Sequence, residues 1–570
     1  MSKSSRVNRN TARSSLQREN GEVAHSALDK ANLLARHFAK KMRIPDSERT
    51  PPTLPDLVRD KLVLVKTSES EVKSILREVN VKTAVGPDNI SPRLLHSCAD
   101  ELANPLASLF NHCFRTSTWP KAWKISNVVP VHKKGGKSEV KNYCPVSLLS
   151  VLSKVAETIV ASRVTEHLEV HHLLCTRQFG FRQGRSAADL HLLLSSELSA
   201  ALDQGKKTAV VALDIEGAFD RVWHEALVAK LRSAGIDGAL LPLLRDYLRD
   251  RQLRVTVCGR ESELQPIRAG VPQGSCLGPL LWNIYINDLL HLIPRTKAYA
   301  DDVTLTQSYE PQEATAITTQ LNYNLSRIAA WGNKWQVRFA SQKMQLLVVS
   351  RSCTPLRLNL NGDTLTQRDE IEVLGVTYDR KLTFSSHIER LARQASGKLA
   401  SLRRMSWLLD GKGLEVLYKA QVRSSLEYAC LAWGGAARRH LAFLDKVQDR
   451  AVRLITDNNA GPVPHLHTLQ HRRDVAGLTV VFKVQEKHVS HLQDLRQPKR
   501  RAPVITRTVA LALSELLQPW CRTWHYQRQF INTYTRWWNT LIASQTVFKG
   551  VSIQGFKVTV NDWLLKQARE

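Results

Sequence analysis

Two apolar runs that each end in carboxylates constrain this fold more than any other feature. The first, AVVAL (209–213), is rich in valine, carries no charge, and gives way at Asp214 to the turn IEGAF. Such a run reads as a buried strand, because β-branched side chains pack well on a pleated surface. The second, KAYADDVTLT (297–306), reads as strand, tight turn, strand, with Asp301 and Asp302 in the turn. Carboxylates beside an apolar sheet are costly unless cations compensate them. Laid side by side, the two segments bring Asp214 to Asp301 and Asp302. Oxygen ligands of this kind hold two Mg2+ ions about 4 Å apart, with Mn2+ as the substitute. One aspartate at a strand end is ordinarily a cap or turn residue. Three in order, with the Gly-rich GVPQGS (270–275) between them, are far more specific.

The rest of the chain alternates elements around this pair. Apolar spacing predicts helices over 22–42, 69–84, 98–116, 146–168 and 224–235. It predicts strands at ISNVVPVH (125–132), LRVTVCGR (253–260) and MQLLVVS (344–350), and a strand pair split by glycine at IEVLGVTYD (371–379). Helices and strands in this mixture predict an α+β fold. Strands then nearly vanish after Ser385, and three amphipathic helices follow, one of them over 414–433. The expected divisions are a basic N-terminal region (1–68), a mixed catalytic region (69–380), a helical region (381–495) and a C-terminal extension (496–570). The extension opens on a basic linker with Arg496, Lys499, Arg500, Arg501 and Arg507. It holds Trp520, Trp524, Trp537, Trp538 and Trp563, which read as packed core in preference to a platform for stacking bases.

Charge bears on partners. Lys and Arg total 81 against 52 Asp and Glu, a net charge of +29, which points to a polyanion such as RNA or DNA. A basic turn supplies Lys133, Lys134, Lys137 and Lys141, and at least one of them is expected on a phosphate. Arg182 and Arg185 in FRQGRS are further candidates. The nine cysteines stand singly with no close CxxC pair, which excludes a zinc knuckle and implies a reducing compartment. No membrane partner is expected, because no stretch approaches the roughly 18 apolar residues of a span. The start has no apolar run of the kind a signal peptide needs.

The segments VVPVHKKGG, NYCPVSLLSVLSKVAETIV, QFGFRQGRS, ALDIEGAFDRVWH, GVPQGSCLGPLLWNIYINDL, YADDV and LGVTYD occur in one order along the chain. In that order they resemble the reverse transcriptase of a jockey-like non-LTR (LINE-type) retrotransposon. The resemblance implies a right-hand polymerase, with fingers and palm over 69–380 and a helical thumb beyond. It implies that Asp214 and Asp301 are the essential metal ligands, with Asp302 beside them. Phe219 matches the bulky gate against a ribose 2′-hydroxyl, and Gln273 and Gly274 lie at the incoming nucleotide. Lys343 matches a proton donor to pyrophosphate, and Leu374 and Gly375 the primer grip; Lys133 is placed at the nucleotide, Arg182 and Arg185 at template and primer. The implied partners are an RNA template, a DNA primer or target, and dNTPs. The implied setting is a cytoplasmic ribonucleoprotein that reaches the nucleus at integration.

Two positions depart from the family pattern. Cys144 stands where an arginine is usual, and a thiol cannot supply that fork of donors. Ala340 stands where an asparagine is usual. Both raise a second reading, a catalytically decayed nucleic-acid-binding descendant. The short stretch ahead of the fingers leaves no room for the endonuclease that such elements carry, so that domain is expected to be missing from this chain.

Overall fold

The valine-rich run at 209–213 does form a buried strand, Lys207–Leu213, at the centre of a five-stranded sheet. This sheet belongs to one of two compact units into which a computed structural model of the chain divides. Each unit is assembled from three chain segments. The structure describes residues 15–18, 21–133, 135–352, 355–458, 466–500, 515–544, 548 and 550–567. Lys134, Arg501, Arg507 and the first fourteen residues lie outside the described residues.

The unit holding this sheet comprises Arg182–Asp214, Arg295–Leu325 and Ser341–Glu570. Its strands run in the order Gln367–Arg368, Gln345–Val349, Lys207–Leu213, Asp302–Tyr309, Thr296–Tyr299. Both neighbours of the central strand are antiparallel to it, with Val303 opposite Leu213 and Gln345 opposite Ala212. The helix Ala187–Asp203 is started by a reciprocal capping box between Ser186 and Asp189. It contributes Leu194, Leu198 and Leu202 to a core shared with Val210, Leu347 and Val349. The predicted split strand appears as Glu370–Val373 and Val376–Asp379, paired through a turn with Leu374 at φ 43 and Gly375 at φ 86.

The helix predicted over 414–433 is broken. It is α-helical at Gly411–Leu417, widens to a π-helix at Tyr418–Arg423, and turns through Ala429 in the left-handed region. Tertiary contacts override local propensity here. Tyr428 donates its hydroxyl to the Leu374 carbonyl at 2.9 Å, and the buried Trp433 indole donates to the Tyr428 carbonyl at 3.1 Å. Helices Leu469–Gln485, Phe530–Ser544 and Ile553–Gln567 close the unit, with Phe482 and Phe556 stacked at 4.1 Å. Trp538 and Trp563 are buried, and Trp537 packs edge-on against Trp563. Trp520 and Trp524 do not follow the expectation of packed core: they are 75% and 79% exposed.

Two histidines give this unit a pH dependence. His191 is fully buried with Nδ1 2.9 Å from the Tyr378 hydroxyl, and His387 accepts from the Thr377 amide at 3.2 Å. Burial lowers both to about 4. Between the ordinary value near 6.5 and 4 the unfolded chain therefore binds protons that the folded one does not. Stability falls as pH drops through that window, by about 1.4 kcal/mol per pH unit for each histidine. Thermal melts between pH 7.5 and 5 are expected to show the loss, and the H191Q/H387Q double variant to flatten it.

The other unit comprises Met1–Phe181, Ile215–Pro294 and Ser326–Ala340. Its sheet runs Tyr143–Leu148, Ile125–His132, Gln252–Val257, Arg260–Glu261. Ile125–His132 coincides with the predicted strand; it pairs antiparallel with Tyr143–Leu148 and parallel with Gln252–Val257. That pairing draws residues 146–148 out of the predicted helix, which begins instead at Val151 behind the Ser150 cap. The helix Ala27–Lys41 buries Leu34, Ala35 and Phe38 on Leu253, Val255 and Val257. The fold is thus mixed α+β, as the sequence predicts.

Candidate functional site

The carboxylates gather at one end of the central strand for a reason visible in the register. Continuing the Val303–Leu213 pairing by one residue sets Asp302 opposite Asp214. Tyr299 pairs with Asp302 across a two-residue turn of Ala300 and Asp301. Ala300 has φ 59, a conformation that costs a non-glycine residue about 1 kcal/mol. On the other side, the Gln345–Ala212 pairing continued by two residues brings up Lys343. Its ammonium stands 3.3 Å from Asp214 Oδ2. That oxygen is buried and has no hydrogen-bond partner among the described residues, so the contact is an ion pair without hydrogen-bond alignment. The Asp302 carboxyl is raised to about 6 by desolvation and by the charges of Asp301 and Asp214.

A cation fits the chemistry of this group. The donors are hard oxygens, as Mg2+ and Mn2+ prefer, one is an orphaned buried atom, and the repulsion on Asp302 is relieved by positive charge. The carboxylates sense one another, yet among the described residues no three His, Cys, Asp or Glu side chains close into a metal cage.

In the other unit, the turn after Phe219 and the Gly-rich loop are tied together. The Val271 amide donates to the Phe219 carbonyl and the Gly270 amide to the Val222 carbonyl, each at 2.8 Å. Phe219 is half-buried, edge-on to Phe181 and 5.6 Å from Trp282. Gln273 bridges two groups: its Nε2 donates to Asp220 Oδ1 at 2.8 Å, and its Oε1 accepts from the Cys144 thiol at 3.5 Å. Gly274, at φ 116, lies so close to the sheet that a Cβ would stand 2.6 Å from the Ser147 carbonyl oxygen. No side chain fits there.

This cluster holds two residues that sequence reasoning missed. Burial raises the Asp220 carboxyl, against Gln273, Lys41, Lys133 and Arg221. Burial lowers Lys41, while Asp220 and Cys144 draw it back up and Lys133 and Arg221 push it further down. Lys133, exposed on the basic turn, faces Cys144; Lys141 is paired with Glu139 at 3.0 Å. A signal for Lys41 exists in the sequence. It follows Leu34 by seven residues and Phe38 by three, which puts a lysine on the buried stripe of its helix. Glu157 was missed as well. Its fully buried carboxylate accepts from the Cys276 and Leu277 amides at 2.7 and 3.2 Å, capping the helix that follows the Gly-rich loop.

The remaining sequence candidates lie in the unit with the carboxylates. Arg182 and Arg185 flank the turn that leads into Ala187–Asp203, the Arg185 amide donating to the Arg182 carbonyl. Leu374 and Gly375 form the hairpin tip, and their carbonyls accept from Tyr428 and Arg390. Among the described residues no helix is long and apolar enough to cross a membrane.

Comparison with known proteins places the chain in a family. Residues 131–378 match the family of reverse transcriptases, RNA-dependent DNA polymerases. The chain is 31% identical to the probable RNA-directed DNA polymerase from transposon BS of Drosophila melanogaster, over 77% of this chain and 50% of that protein. It is 31% identical to the RNA-directed DNA polymerase from mobile element jockey of the same fly, over 78% of this chain and 50% of that one. A third relative, from the X-element of that species, is 27% identical over 87% of this chain and 56% of its own length. The chain thus spans about half the length of the curated relatives it matches.

Proposed function

Because this chain carries a reverse transcriptase domain related to those of jockey-like non-LTR retrotransposons, we propose that it extends a DNA primer on an RNA template. The observation that carries the reading is the meeting of Asp214, Asp301 and Asp302 at one end of a buried sheet, with a charge on Asp302 that asks for a cation. A bound Mg2+ or Mn2+ would supply activation of the primer hydroxyl and neutralisation of the leaving pyrophosphate. Asp214 and Asp301 would hold it, with Asp302 beside them. Lys343 donates a proton to the departing phosphate from its place near Asp214. In the other unit Phe219 crowds the sugar, and Gln273, Gly274 and Lys133 receive the nucleotide. Arg182, Arg185, Leu374 and Gly375 contact template and primer. In this reading residues 69–380 serve as fingers and palm, 381–495 as thumb, and 496–570 as an extension. The element's own RNA is the template and nicked target DNA supplies the primer. The setting is a cytoplasmic ribonucleoprotein that enters the nucleus to integrate.

Specific observations favour a second reading, a decayed polymerase that binds nucleic acid without turnover. Cys144 replaces the usual arginine, Lys343 already neutralises Asp214, and the described acidic residues do not close into a cage. At the metal step the geometry as it stands sides with this reading, since binding alone needs only the basic surface. Primer extension on an RNA template with Mg2+ and dNTPs separates the two: incorporation supports the polymerase, and template binding without incorporation supports the decayed protein. The same assay tests the gate. Phe219→Ala is expected to raise ribonucleotide use relative to deoxynucleotides by about tenfold or more, because it removes bulk beside the sugar. An unchanged ratio would mean that Phe219 only packs against Phe181 and Trp282.

A further inference from the structure

Two of the five C-terminal tryptophans are presented to solvent by a segment that is itself pinned. Trp520, Arg522 and Trp524 are exposed, while Cys521 and Thr523 between them are half-buried. The segment is irregular over 520–523 and enters the short helix Trp524–Gln527 behind the Thr523 cap. The segment is anchored from its other side. Asp203 accepts from the Arg522 amide at 2.9 Å and from the Thr523 hydroxyl at 2.6 Å. The Arg522 guanidinium lies 5.4 Å from the centre of the Trp520 ring and donates to the Gln204 carbonyl at 3.3 Å. Exposure of 75% and 79% is unusual for the largest apolar side chain, and here it is not fraying.

Both signs of charge stand near this segment. At His525, burial together with Arg528 and Arg351 lowers the proton affinity, while Asp379 and Asp203 draw it back up. The nearby Asp203 is spent on the Arg522 amide and the Thr523 hydroxyl. Aromatic faces with guanidinium groups among them suit unpaired bases on a phosphate backbone, and the chain as a whole carries +29.

We propose that Trp520 and Trp524, with Arg522 between them, form a stacking platform for single-stranded RNA. The choice of RNA over DNA rests on the polymerase reading, in which unpaired template lies to either side of the copied stretch. The platform itself does not depend on turnover.

The test uses the full chain and a labelled twenty-nucleotide oligouridylate, read by fluorescence anisotropy. W520A/W524A is expected to raise the Kd for this RNA at least about tenfold, the scale of losing one or two stacked bases. Binding of an RNA–DNA duplex should stay within about threefold. The slope of log K against log salt should not change, because no phosphate contact is removed. W520F/W524F keeps both rings and should retain most of the affinity. Unchanged RNA affinity in W520A/W524A overturns the proposal, as does an equal loss of duplex binding. An equal loss for oligothymidylate overturns the assignment to RNA. Loss of self-association in sedimentation, with RNA binding intact, would make the surface an interface between copies and also overturn it. Tryptophan-dependent RNA binding in a chain that incorporates no dNTP would remove the polymerase reading and leave this one standing.

Discussion

Replacing Asp214 with asparagine is expected to lower primer extension by at least about 1,000-fold, while template–primer binding stays within about threefold. The substitution keeps the size and one carbonyl oxygen of the side chain and removes its charge. Asp214 Oδ2 is a buried oxygen without a hydrogen-bond partner among the described residues, so its charge does no structural work that an amide would fail to do. What the charge does do is electrostatic. It faces Lys343 at 3.3 Å and helps to raise Asp302 to about 6. Loss of an anionic ligand that stabilises charge in phosphoryl transfer is worth several kcal/mol, and ~4 kcal/mol corresponds to about 1,000-fold in rate. A second consequence follows from the register. With Asp214 neutral, Asp302 loses one of its two like-charged neighbours, and its proton affinity should fall toward the ordinary aspartate range. Carboxyl titration by NMR in the absence of divalent ions would register that fall even if the chain never turns over. Extension by the Asp214→Asn variant at the natural rate would remove this aspartate from the chemistry.

Much of this site was legible because strands carry their register in their sequence. An apolar run that ends at Asp214 and a strand that leaves the turn at Asp302 bring their carboxylates together as antiparallel neighbours, and the pairing of Val303 with Leu213 is that arrangement. The same holds for Leu374 and Gly375, where a glycine between two short strands announced the hairpin tip. Periodicity said less where long-range contacts choose the local structure. Val146 through Leu148 look helical on their own and become strand because Ile125–His132 offers a partner. The helix over 414–433 breaks where Tyr428 is held by the distant Leu374 carbonyl and the Trp433 indole takes the Tyr428 carbonyl out of the helical ladder. Trp520 and Trp524 read as core because tryptophan usually is, and no local pattern says that Asp203, more than 300 residues earlier, pins the backbone between them. The polar cluster around Gln273 was legible only in part. Its members come from four distant stretches of chain, and Lys41 betrays itself only as a charge on an apolar stripe.

Lys41 leads to the other large effect. Cys144 stands where the resemblance to reverse transcriptases leads one to expect an arginine, and its thiol donates to Gln273 Oε1 at 3.5 Å. Yet the cluster is not without positive charge, since Lys41 and Lys133 both act on Cys144 and Asp220. In the polymerase reading Lys41 takes over part of the triphosphate recognition that an arginine would perform. Lys41→Ala is then expected to weaken dTTP binding by about tenfold or more, since a hydrogen bond to a charged group contributes ~1.5–3 kcal/mol. Cys144→Arg should strengthen binding by a similar factor through its planar fork of donors. The decisive measurement is the double variant. If both cations serve one triphosphate, Lys41→Ala in the Cys144→Arg background should cost less than half of its effect in the natural chain, because sites sharing a partner are not additive. Equilibrium binding of dTTP reads this directly and requires no turnover, so it applies under either reading of the chain. Additive effects would mean that the two positions act independently. Lys41→Ala with unchanged dTTP affinity would reduce its ammonium to a neutraliser of Asp220, and Asp220→Asn should in that case rescue any stability lost with Lys41.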